Sequence, residues 1–184
     1  DRRLCRALER GPLSFLQAAE VVGVDKYQFR SGLLEKAGVI LRAGLTPTDI
    51  MHVRGDYTRY EREAAQLGVQ FAAGSLHMLP EDFCARIYDE VSREVFYAVA
   101  QILLEHSSPY FRRHGLDDGM RELLRLQWDN RLTGGDALLH YAFHAPAALI
   151  GIGGPVHLFL PEAAKALGAE CIIPDCAPTA NAVG

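Results

Sequence analysis

The sequence contains no apolar run approaching the roughly 18 residues that a membrane-spanning helix requires, so nothing in it predicts a membrane partner. It carries no large charge of either sign: the formal net charge is −4, too small to draw the whole chain toward nucleic acid or an anionic membrane surface. Cysteine is sparse, at four residues. Cys5, Cys84, Cys171 and Cys176 form neither a CxxC pair nor a regular framework, which argues for reduced cytoplasmic thiols rather than a disulfide scaffold. Cys171 and Cys176 are close enough to invite a metal or disulfide reading with His144 or His157, but ligand spacing is missing and no metal site is assigned. No Ser-His-Asp or Cys-His set sits in a nucleophile context. Internal repeats and low-complexity segments are absent. The opening residues, Asp1 to Cys5, offer neither an initiator methionine nor a signal-peptide stretch, and read as a cut from a longer chain.

What is present is apolar content. Hydrophobic residues make up 49% of the 184 positions, enough for one domain or two small lobes. The chain changes character twice. Residues 1–55 read as short helices. Ser14 with Gln17 forms a capping box, and Gly23 stops that helix. Asp25 with Gln28 opens the next, with Phe29, Leu33 and Leu34 as its apolar face, and Gly38 stops it. Val39-Ile40-Leu41 predicts a short strand. Thr46 then caps a further helix with Pro47 at its first position and Asp49 reaching back. Residues 56–112 read as all-helical. After Pro80-Glu81-Asp82 a stripe runs through Phe83, Ile87, Val91, Val95, Val99, Ile102 and Leu103, ending near Ser107-Ser108-Pro109. Residues 113–184 read as α/β. Residues 147–152 predict a buried parallel strand, Gly153-Gly154-Pro155 a turn, Val156 to about Leu167 a helix stopped by Gly168, and residues 169–174 a second strand, a parallel crossover unit. Trp128, Tyr141 and Phe143 are expected in the core. Arg112, Arg113 and His114 are expected in a solvated loop.

Three constellations could carry chemistry. In Gly151-Ile152-Gly153-Gly154-Pro155, a glycine turn after a buried strand lets a ligand approach the backbone, and the following helix start favours a phosphate or a polar ring edge. It is not a P-loop, since no Gly-Lys-Ser/Thr follows, nor a dinucleotide GxGxxG, since position 156 is Val. The second is Thr46, Thr48, Asp49 and His52. Asp49 and His52 share a helix face and could bind metal or move protons; equally, Asp49 could serve as a cap and His52 lie on the surface. The third is the helix–turn–helix arrangement at 14–37 with residues 39–41 as a wing. Residues 1–54 hold nine Lys and Arg against six Asp and Glu, a surplus of +3, the profile of a small winged-helix DNA reader.

Two of these stretches resemble one family. Gly44-Leu45-Thr46-Pro47-Thr48-Asp49-Ile50-Met51-His52-Val53-Arg54-Gly55 resembles the GxTPTDxxHVxG segment of the hydantoinase/oxoprolinase family. Residues 151–161, Gly151 to Pro161, resemble that family's later glycine turn, and Ile173-Pro174 through Asn181-Ala182-Val183-Gly184 resembles the segment after it. The resemblance implies an α/β fold: part of an actin-like (ribonuclease H-like) ATPase lobe, with a large helical portion and a helix-turn-helix-like N-terminal segment. It implies a parent enzyme using ATP and Mg²⁺ to open a cyclic amide of hydantoin or 5-oxoproline type. Gly151, Gly153, Gly154 and Pro155 would border adenosine, with Asn181 and Gly184 in a buttressing helix, and Thr48, Asp49 and His52 would be the catalytic candidates. The family's DxGGTxTD phosphate turns do not occur here; Thr133-Gly134-Gly135-Asp136 has similar composition in the wrong order. The expected partners are therefore the remaining lobe of the parent, a second hydantoinase-type subunit and the cyclic amide, with no nucleic acid. By itself the chain is expected to be inactive. The contrasting expectation is a winged-helix DNA-binding regulator with a C-terminal α/β sensing segment.

Overall fold

The structure is a computed structural model that describes residues 2–131 and 141–180. Thr133-Gly134-Gly135-Asp136, Asn181 and Gly184 lie outside the described residues. The chain divides into two compact units, Asp1–Gly44 and Leu45–Gly184.

The first unit holds α1 (Arg2–Leu8), α2 (Phe15–Val22) and α3 (Ser31–Lys36) around buried Leu4, Ala18, Ala19 and Ser31. The Ser14–Gln17 capping box forms as expected, and Gly23 ends α2 at φ 79°, a left-handed conformation that glycine adopts without strain. Phe15 meets Phe29 edge to face at 5.2 Å. Two expectations fail here. The helix expected from Asp25 begins only at Ser31. Asp25 Oδ1 instead accepts from the Tyr27 N–H at 2.9 Å, a local turn that competes with helix initiation. Of its apolar face, Phe29 and Leu34 are half-buried while Leu33 stays 65% exposed. Residues 39–41 form no strand, and Leu41 is 93% exposed; without a neighbouring strand the run gains no ladder bonds, and the Val39 N–H donates to the Leu34 carbonyl at 2.9 Å instead. Arg42 folds back instead as a fork on Glu35, at 3.0 and 2.7 Å.

The second unit is organised by α6 (Pro80–Ser107), whose start follows from Pro80 at the first position and Glu81 and Asp82 in the first turn. Near its N-terminal end α6 packs with α4 (Pro47–Arg54) and α5 (Arg62–Ser75) over Ile50, Val69, Ala73, Phe83 and Cys84. Further along it packs with α8 (Asp118–Asn130) and α9 (Val156–Ala166) over Phe96, Tyr97, Ala100, Leu124, Trp128, Ala145, Ala163 and Leu167. One helix thus spans two cores. The fully buried face is turned slightly from the apolar stripe: Ser92, Tyr97 and Ala100 are buried and Ile102 is 65% exposed. Small residues allow helices to approach closely, a contribution that hydropathy alone does not register. Trp128 is fully buried, with Phe96 at 5.4 Å. Arg112, Arg113 and His114 belong to a short helix, α7 (Pro109–His114), not a loop.

Strands β1 (Ala148–Ile150) and β2 (Glu170–Ile172) pair in parallel across α9, in register Ala148↔Glu170, Leu149↔Cys171, Ile150↔Ile172. Coarsely the chain is α/β, with helix dominating a two-stranded parallel sheet. The strands are shorter and less buried than expected. Leu149 and Cys171 are half-buried, while Ile150 is 66%, Ile152 57% and Ile172 41% exposed. No helix of the described residues is long and apolar enough to cross a membrane.

Candidate functional site

The α4 turn is built from a second capping box. Thr46 Oγ1 accepts from the Asp49 N–H at 3.4 Å, and Asp49 Oδ2 accepts from the Thr46 N–H and hydroxyl, both at 2.7 Å. Pro47 occupies the first helical position and Gly55 closes the helix at φ 86°. The Asp49 carboxylate therefore faces its own helix start. His52 is not on the surface: it is 2% exposed. Its Nδ1 lies 2.7 Å from the Thr48 carbonyl and its Nε2 accepts from the Tyr60 N–H at 2.9 Å. A backbone N–H can only donate, so Nε2 carries the lone pair and Nδ1 the proton. The ring stacks on Tyr60 at 5.7 Å and meets Tyr57 edge-on at 5.0 Å. Asp49 and His52 share α4 but form no hydrogen bond with each other among the described residues. Thr48 is half-buried, and its hydroxyl has no hydrogen-bond partner among the described residues.

At the C-terminal end of α4, Arg54 lies over the Tyr88 ring at 4.2 Å, with Nε 3.5 Å from Asp56. The Tyr88 hydroxyl donates to Asp56 Oδ2 at 2.6 Å. Burial, then the Asp56 hydrogen bond and charge, push the Tyr88 phenol far above its ordinary range. Tyr88 also packs on Phe159 of α9 at 5.1 Å, so this cluster joins the end of α4 to α9. The sequence reading missed it; an Arg-x-Asp pair and a Tyr 32 residues beyond that Asp carry no periodic signal.

The glycine turn is held by its backbone. Gly151 N–H donates to Ile172 O and Gly153 N–H to Ala177 O, both at 2.8 Å. A Cβ on Gly151 would stand 2.7 Å from Val156 Cγ2 and 2.8 Å from Leu160 Cδ2, so glycine lets α9 close on β1. Gly153 sits at φ 108°, a conformation other residues rarely adopt. Gly154 is exposed, and a Cβ there would meet nothing within 4 Å. Pro155 precedes α9 without a side-chain cap. His157 Nδ1 lies 3.1 Å from the Gly154 carbonyl. All four cysteines are free thiols. Among the described residues no group of three or more His, Cys, Asp and Glu side chains is placed to hold a metal ion.

The chain matches no protein-family model, no curated protein and no solved structure.

Proposed function

We propose that this chain is the adenosine-side portion of a cytoplasmic actin-like ATPase whose parent opens a cyclic amide of hydantoin or 5-oxoproline type. The observation that carries the reading is the glycine turn. Gly151 brings α9 tightly against β1 while Gly154, three residues later, stays open. A strand–turn–helix with a closed base and an accessible backbone suits a nucleoside, which needs a flat approach more than a charged side chain. Gly151, Gly153, Gly154 and Pro155 fit that group. The residues present do not fit the phosphates or Mg²⁺, because no DxGGTxTD turn occurs in the sequence. No hydrolytic step is therefore assigned to this chain, and those groups fall to the remaining lobe. On α4 the capping box and the His52 bonds serve the turn itself, which leaves the Thr48 hydroxyl as the group free to meet the amide, with Asp49 and His52 shaping the turn around it.

The winged-helix reading has less support. Its recognition helix is reduced to the six residues of α3, and no wing strand forms at 39–41.

Calorimetric titration with ATP and ADP tests the proposal. The chain should bind both weakly, in the millimolar to high micromolar range expected of about half a site. Gly154→Val, whose side chain enters open space, should abolish the heat without lowering the melting temperature. Equal binding by the variant would overturn the assignment of the turn.

A further inference from the structure

A cavity of about 590 Å³ lies among the end of α4, one face of α5 and the start of α6, within the usual size range of small-molecule sites. Its apolar walls are Val53, Val69, Pro80 and Cys84; its polar groups are Arg54, Gln66, Gln70 and Glu81. Arg54 is already oriented, stacked on Tyr88 and tethered through Nε to Asp56. Among the described residues its terminal nitrogens form no hydrogen bond, and neither do the side-chain amides of Gln66 and Gln70. Glu81, exposed in the first turn of α6, has no ion-pair partner among the described residues. Cys84, 4% exposed, lines the same cavity as Arg54 and Glu81; burial pushes its thiol up, Arg54 draws it down and Glu81 raises it again.

That combination selects among ligands. A phosphate or dicarboxylate would be repelled by Glu81, and a purely apolar molecule would make no bond to the exposed Arg54, Gln66, Gln70 and Glu81. A ligand carrying both charges at one end, with a short body beyond them, satisfies all of the lining. We propose that this cavity binds a free α-amino acid, its carboxylate on Arg54, its ammonium on Glu81, and its side chain along Val53 and Val69 within reach of Gln66 and Gln70. The fork of Arg54 suits a carboxylate. The inference stands apart from the nucleotide reading, since it shares no residue with the glycine turn.

The test is amide chemical-shift perturbation by NMR, with L-glutamine as the probe. L-Glutamine should move the amides of Val53, Arg54, Gln66, Gln70, Glu81 and Cys84 and leave those of residues 151–155 in place. N-acetyl-L-glutamine and L-glutaminamide each lack one charge and should bind about tenfold more weakly. Glu81→Gln, a change on an exposed first turn, should weaken L-glutamine by a similar factor with an unchanged melting temperature. The pair Arg54→Glu with Glu81→Arg should recover binding lost in either single variant. No shifts up to the solubility limit of L-glutamine, shifts centred elsewhere, or equal binding of the blocked analogues would overturn the proposal.

Discussion

The α4 turn and the glycine turn solve opposite problems. At α4 the sequence displays polar side chains, Thr46, Asp49 and His52, and the fold consumes them: two cap the helix and the third ties the following loop to it. At 151–155 it displays almost no side-chain chemistry, and the fold leaves backbone accessible at Gly154. Polar residue types in a motif are therefore a poor guide to free functional groups, because helix starts and buried loops have prior claims on hydrogen bonds. Small residues are a better guide to where something else can approach.

The largest expected effect breaks the α4 side of this contrast. His52→Ala empties a nearly inaccessible site and strands the Tyr60 N–H, so urea unfolding should show a loss of about 3 kcal/mol. A loss below about 1 kcal/mol would mean that water replaces the ring and that His52 does not hold the loop. Next is Gly151→Val. Its branched side chain meets Val156 and Leu160 at distances no packed core accepts, and overpacking should cost about 2 kcal/mol. An unchanged melting curve would show that α9 can shift from β1 freely. Thr46→Ala then removes one half of the capping box, worth about 1 kcal/mol. Thr48→Ala should leave stability within about 0.5 kcal/mol, since its hydroxyl makes no bond to lose; that separation between neighbouring threonines is what the proposed division of labour on α4 requires.

Much of the local structure was legible. Both capping boxes, the stop at Gly23, the span of the long helix and the order strand, glycine turn, helix, strand follow from residue types with one dominant backbone preference. Failures came where tertiary context decides. Asp25 could cap or form a turn and chose the turn; Val39-Ile40-Leu41 had strand composition but no neighbour to pair with. The burial of His52 was invisible because its partners, Tyr57 and Tyr60, lie in a loop without periodicity. The cavity beside Arg54 was equally hidden, since its lining comes from three helices. Of the candidate sites, the sequence located both turns but not which atoms in them stay free.

The most discriminating comparison is between adjacent residues of one type. Gly153 sits at φ 108° and donates to the Ala177 carbonyl, whereas Gly154 lacks a left-handed φ; a Cβ at either position would meet nothing within 4 Å. Gly153→Ala must hold a Cβ in a conformation that disfavours it, and should lose about 1 kcal/mol. Gly154→Ala should change stability by no more than about 0.5 kcal/mol, with stabilisation the expected sign, since the unfolded chain loses freedom and the folded chain meets no clash. Thermal melts of the two variants read the difference directly. If both lose equally, the turn is a structural unit and its openness has no separate purpose. If Gly154→Ala is neutral in the melt, the fold does not require glycine there, and any fall in nucleotide affinity on enlarging that position reports on a ligand's approach to the backbone and not on damage to the turn.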